Sequence, residues 1–204
     1  MKKYLIHNQF SIRFLAFFGL NLLLFTLVWY GAYHFLPVSS LHNQTGAQAA
    51  IQQLRHLPLV DIWLIIVIHN ALGICIIIFF NLLLQVNEYP AGYLFPIFWA
   101  VYFGLLIGTN SFVLPMAERM APSLAVFTRA GPYEITGYIL IATASTSLSR
   151  IRMKRLFFSW PKFIIHPKSL TQDEWFGIGA GIILTLLSAW REVMMFQERL
   201  LQIH

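Results

Sequence analysis

Charge is scarce in this chain. Asp, Glu, Lys and Arg make up 11% of its 204 residues, against about 25% in soluble globular proteins. That shortage excludes a soluble enzyme and a disordered chain. There is one cysteine, Cys75, inside an apolar run. It can form no internal disulfide, so a disulfide scaffold is excluded as well. Catalytic signatures are also missing: the sequence holds no P-loop, no G-x-S-x-G element, no paired-carboxylate constellation, no haem motif and no recurrent arginine ladder. A metal site needs three or four ligands, and no H-x-x-x-H, C-x-x-C or H-E-x-x-H spacing is present. The sequence therefore implies no cofactor, no metal, no ATPase of its own and no catalysis. The net charge of +6 would invite nucleic acid in a soluble protein. Here there is no basic helix apart from the apolar runs and no binding module, so nucleic acid is not expected as a partner.

What the chain has in abundance is apolar length. Hydrophobic residues account for 58%, aromatics for 16%, and the mean hydropathy is +0.67. A spanning helix needs about 20 apolar residues. The expected fold is all-α: one polytopic membrane domain over 1–204, a bundle of about five transmembrane helices with interfacial segments. The spans are expected at 14–36, 59–84, 91–114, 132–148 and 175–196. The first is too long for a signal-peptide core of about 7–15 residues. Trp29, Tyr30 and Tyr33 anchor its end. The polar stretch 37–58 reads as a loop with a short amphipathic turn at 47–56. Segment 115–131 carries Glu118, Arg119 and Arg129 and reads as a surface or re-entrant segment.

The basic residues orient the spans. Five crossings place the N-terminal charges and the loop at 150–168 on one side, with nine of the 14 basic residues. The N-terminus is thus expected in the cytoplasm and the C-terminus outside. In the stretch 156–168, aromatics alternate with Lys and His, as in a segment lying on the cytoplasmic leaflet. Multi-pass residence in a cell membrane, with the lipid bilayer and other membrane proteins as partners, follows.

Polar residues inside apolar spans are costly and therefore informative. The candidates are Asp61, His69 and Asn70 in the second span and Glu134 in the fourth, with Gly131 just before it. Pro132 suits a helix's first turn, because the amide it lacks is unpaired there anyway. A carboxylate in that turn opposes the positive end of the helix dipole, a gain of about 0.3–1 kcal/mol. Arg129 or Arg119 is its expected ion-pair partner. Asp61 lies eight residues from His69, about 12 Å along a helix at about 1.5 Å per residue, too far for contact. Gly104 and Gly108, and Gly177 and Gly181, form two G-x-x-x-G elements. With Gly137 they let backbones approach closely, so spans three, four and five are expected to make the tight core.

The order of these marks resembles the stage II sporulation protein M family of bacterial and archaeal membrane proteins. That family has an Asn near the centre of one span, matched by Asn70. Its next span carries an Asn-Gly-x-x-x-Gly-like element, matched by Gly104 and Gly108 after Phe103. Its Pro-His-Gly-x-x-Glu element before a small-residue helix is matched at Gly131 and Glu134, with Arg129-Ala130 where the family has Pro-His. The resemblance covers about residues 60–195. It implies a non-enzymatic membrane scaffold of a prokaryotic inner or plasma membrane that assembles partner proteins, with Glu134, Gly131 and Asn70 at its functional core.

Three functions follow as alternatives. The first is a scaffold or accessory subunit of a membrane complex. The second is a component of a small-solute or peptide transporter, with a polar path around Asp61, His69, Asn70 and Glu134. The third is a membrane enzyme acting on a lipid-like substrate.

Overall fold

The computed structural model describes residues 2–41, 56–112, 116, 118–153, 162–163 and 168–202. A short helix α1 (Lys2–Leu5) precedes four long ones or their equivalents: α2 (Phe10–Phe35), α3 (Leu59–Leu83), α4 (Leu94–Thr109, extended by a 3-10 turn at Ala91–Tyr93) and α6 (Gln172–Gln202). Each is long and apolar enough to cross a membrane. Between α4 and α6 lies α5 (Gly131–Ala144). Helices dominate, as expected. The sequence reading had no strands, yet four of two or three residues form a small sheet: β1 (Leu84–Val86), β2 (Tyr89–Pro90), β3 (Ile151–Met153) and β4 (Lys162–Phe163), in the order β2-β1-β3-β4.

The helices alternate in direction, and hydrogen bonds gather their ends. At one end, the Arg13 guanidinium bonds the Thr143 carbonyl and the Glu174 carboxylate, tying the starts of α2 and α6 to the end of α5. Asn81 joins the end of α3 to Gly92 and Ala142 there. At the other end, the Ser39 amide bonds the Thr109 carbonyl and Leu41 bonds Ser111, bringing the ends of α2 and α4 together. The sheet closes the Arg13 end. Its β1–β2 hairpin turns through Asn87 and Glu88, both at positive φ, which matches the strand twist in a two-residue turn. The parallel pairing of β1 with β3 is long-range, and no local pattern announces it.

Two close-packed helix pairs make the core, α2 with α4 and α5 with α6. Spans four and five pack together, but this corrects the expected place of span three, whose glycines meet α2 instead. A Cβ on Gly104 or Gly108 would meet the α2 backbone, at Phe25 O (3.0 Å) and Trp29 O (2.9 Å). Gly137 and Gly181 face one another: a Cβ on either would lie 2.8 or 2.7 Å from the other's carbonyl oxygen. Gly177 stands against Phe10 and Ala144. Small residues thus allow backbone contact, but span three uses its glycines on span one.

Helix α5 is short. Its 14 residues reach about 21 Å at about 1.5 Å per residue. It starts midway along the bundle, because Pro132, Ile135 and Ile139 lie beside Asn21, Leu22 and Phe25 in the middle of α2. The stretch before it, 118–130, fills the remaining length and holds a 3-10 turn at Leu124–Thr128. It enters from the Asn110 end and descends along α2, so that together with α5 it runs the length of the bundle. The stretches expected as an amphipathic turn at 47–56 and as an interfacial segment at 156–168 lie almost wholly outside the described residues.

Candidate functional site

Irregular backbone inside a helical bundle must find partners for its carbonyls. The stretch 118–130 finds them in side chains from the neighbouring helices. The Trp29 indole donates to Met120 O at 3.1 Å, Arg191 to Thr128 O at 3.2 Å and Ser188 to Ala130 O at 2.9 Å. Tyr133 donates its hydroxyl to Phe127 O at 2.9 Å. At the top, the Asn110 side chain holds Met116 by a pair of bonds, to its amide (2.8 Å) and its carbonyl (2.9 Å). Asn110 itself sits at positive φ and ends α4, with the Ser111 amide reaching back to Leu106 O and its own to Ile107 O. This is the Schellman pattern for closing a helix.

The candidate site lies where α5 begins. Gly131 is buried against the Phe103 ring, which occupies the space a Cβ would take. Glu134, in the first turn, is buried. One turn on, the Tyr138 hydroxyl donates to its carboxylate at 2.8 Å, and the Trp99 ring stands edge-on to the Tyr138 ring. The same Tyr138 oxygen lies 3.4 Å from the Asn70 carbonyl oxygen, and Asn70 donates to Thr185 O on α6 at 3.3 Å. Gly73 makes room: a Cβ there would stand 3.0 Å from the Tyr138 hydroxyl. Residues of four helices thus gather around Glu134 and Tyr138. Glu192 of α6 is in electrostatic reach of both Glu134 and His69, and Glu192 and His69 keep exposed surface.

Of the candidates read from sequence, Glu134, Gly131 and Asn70 come together. His69 sits at the margin, its Nδ1 2.8 Å from Ile65 O, which saturates one side of its ring on its own helix. Asp61 is exposed in the first turn of α3, and no printed contact joins it to the others. The expected pairing of Glu134 with Arg119 does not occur. Arg119 donates to Leu36 O and lies over the Tyr33 ring, 4.3 Å from its centroid. The carboxylate takes a tyrosine instead, because 134 and 138 share one helix face.

Sequence reasoning missed Tyr138, Trp99, Thr185 and Glu192. It also missed a second buried cluster, at the Arg13 end. Arg13, one of the N-terminal basic charges, is buried and makes a 2.8 Å ion pair with Glu174. It bonds His7 O and Thr143 O too. Glu174 in turn accepts from the Thr171 amide while Thr171 Oγ1 accepts from the Glu174 amide. Thr171-x-x-Glu174 is a capping box, and that spacing was readable in advance. Among the described residues, no group of three His, Cys, Asp or Glu side chains is placed to hold a metal ion.

The arrangement defines a helical protein carrying four helices long and apolar enough to cross a membrane. No family model, curated protein or solved structure matches the chain.

Proposed function

We propose that this chain crosses a cell membrane five times and serves as a non-catalytic scaffold or accessory subunit of a membrane complex. Four apolar helices supply four crossings, and α5 with the irregular stretch before it supplies the fifth. The observation that carries the reading is how the interior polar groups are used. Arg13, Asn81 and Gln85 are buried, and each bonds backbone of a distant segment. They lock helices together, while α2, α3 and α6 turn Leu23, Leu27, Leu72, Phe79, Ile183 and Leu187 outward. Without a hydrophobic drive inside lipid, such hydrogen bonds and close packing are what hold helices. The resemblance to the stage II sporulation protein M family adds support from the residues alone. The Arg13 end then faces the cytoplasm, the side favoured by the basic residues.

A second reading is a transporter component. The buried Glu134, with Tyr138, Asn70, Glu192 and His69 about it, favours this one. Broken helices that begin midway through a membrane commonly serve ion or substrate sites in transporters. Asp61 then lies at the mouth.

One purification separates the two. The tagged protein is isolated from its native membrane in mild detergent, and co-purifying proteins are counted by mass spectrometry. A stoichiometric partner, lost with Glu134→Gln, is expected. If the chain purifies alone and its liposomes pass a small solute above empty controls, the transporter reading replaces the scaffold.

A further inference from the structure

Tyr138 has a single hydroxyl proton, yet its oxygen meets two acceptors. Glu134 Oε1 lies 2.8 Å away and Asn70 Oδ1 3.4 Å away. Asn70 cannot turn its amide to help. Its Nδ2 donates to Thr185 O at 3.3 Å, and a backbone carbonyl only accepts, so Oδ1 is the atom that must face Tyr138. With Glu134 ionised, one proton serves two contacts: the hydroxyl turns to the carboxylate and Asn70 Oδ1 goes without. With Glu134 protonated, two protons serve two contacts. The carboxyl then donates to the Tyr138 oxygen, and Tyr138 donates to Asn70. A separation of 2.8 Å suits an O–H···O bond in either direction.

The surroundings favour the protonated form. Glu134, Tyr138, Asn70 and Thr185 are all buried, and Phe95 and Trp99 stand edge-on to the Tyr138 ring. Helix α4 brings no charged side chain. Helix α6 brings Glu192 within electrostatic reach of Glu134, and a like charge disfavours a second carboxylate. His69 of α3 is in reach of Glu192. The arginines of the elements around α5 are Arg13, paired with Glu174; Arg119, over the Tyr33 ring; Arg129, two residues before α5; and Arg191, bonded to Thr128 O and paired with Glu198. The start of a helix favours a carboxylate, but taking a charge out of water is the larger effect.

We infer that Glu134, Tyr138 and Asn70 form a proton-binding site inside the bundle, with the proton on Glu134 and a hydrogen-bond chain running from its carboxyl through the Tyr138 hydroxyl to Asn70 Oδ1. If that proton passes to water, Tyr138 turns its own hydroxyl back to the carboxylate, and the bond to Asn70 is lost. The site is independent of which function holds: a scaffold keeps the proton in place, and a transporter component binds it as its ion.

Infrared difference spectroscopy of the full chain in lipid vesicles at neutral pH tests it. The parent spectrum minus that of Glu134→Gln is expected to show one C=O band of a protonated carboxyl, moving to lower frequency in heavy water. A pair of carboxylate bands in its place overturns the site. In Asn70→Leu the Tyr138 proton has only Glu134 to serve, so most of the band is expected to disappear. In Tyr138→Phe the carboxyl loses its acceptor, and the band is expected to move to higher frequency. Each variant is checked by its melting curve, and if Asn70→Leu does not fold, Tyr138→Phe decides the chain alone. A band that neither substitution alters overturns the chain through Tyr138.

Discussion

Single side chains carry much of this structure, and the most exacting is Arg13. Its guanidinium meets the Glu174 carboxylate and two backbone carbonyls where water is excluded. Burying one such charge without its partner is expensive, roughly 3–5 kcal/mol. Arg13→Leu and Glu174→Gln are each expected to destabilise by about that amount. The double substitution Arg13→Leu with Glu174→Leu is expected to cost less than the sum, because no lone charge remains. Thermal unfolding in detergent across the four proteins checks this; full additivity would mean that the pair is not coupled. Asn81 offers a neutral counterpart. It is fully buried, accepts from the Gly92 amide at 2.8 Å and donates to Ala142 O and Ser145 Oγ. Asn81→Leu leaves the Gly92 amide unpaired in the interior, a loss of about 1–3 kcal/mol, read in the same unfolding experiment. Neither role was fully legible in the sequence. Asn81 and Arg13 are visible as polar residues in or beside an apolar run, yet their partners lie 61 and 161 residues away. Only the local half of the Arg13 cluster, the capping box at Thr171 and Glu174, is written in a short spacing.

Helices are placed by glycines, and here the chain supplies its own controls. Gly137 and Gly181 meet across α5 and α6, and Gly108 meets the α2 backbone, each with an added Cβ closer than 3 Å to a neighbour's carbonyl oxygen. Gly19, Gly31 and Gly179 have nothing within 4 Å. A methyl group forced against backbone moves whole helices, and overpacking of this kind costs about 1–3 kcal/mol. An unhindered Gly→Ala change in a helix instead gains roughly 0.5–1 kcal/mol. Alanine at 108, 137 or 181 is therefore expected to lower the melting temperature, and alanine at 19, 31 or 179 to leave it unchanged or raise it. Equal behaviour of the two sets would remove the glycine contacts as the basis of packing. The G-x-x-x-G spacing announced that Gly104, Gly108, Gly177 and Gly181 lie on contact faces. It could not say which helix each face meets, because the pattern is the same whatever backbone approaches. The break before α5 was half legible in the same way. Glu118, Arg119 and Arg129 marked 115–131 as unfit for lipid, whereas its descent along α2 depends on carbonyl partners from Trp29, Ser188 and Arg191, far away in sequence.

At the scale of the molecule, the alternation of α2 to α6 makes a definite topological claim. Glu88, in the β1–β2 turn, and Lys168, just before α6, stand at the Arg13 end. Ser39, after α2, and Glu118, after α4, stand at the other, where Ser39 bonds Thr109 O. All four are exposed. Cys75 lies within α3, so a Cys75→Ser background leaves single introduced cysteines as the only thiols. In intact cells, a membrane-impermeant maleimide is expected to label cysteine at 39 and 118 and to spare cysteine at 88 and 168 until the membrane is opened. The contrast tests more than orientation. If α5 and the stretch 118–130 together make one crossing, 118 and 168 must differ in access while 88 and 168 agree. Were 118 to share the side of 88, the irregular stretch would be no part of a crossing, and Glu134 would lie near a surface rather than midway between two. Reversed labelling of all four would keep the fold and invert the chain, against the excess of basic residues at the Arg13 end. The depth of Glu134 in the bundle is what makes its burial meaningful: if the bundle spans a membrane as proposed, a carboxylate held by Tyr138 this far from either end is costly and marks a functional position.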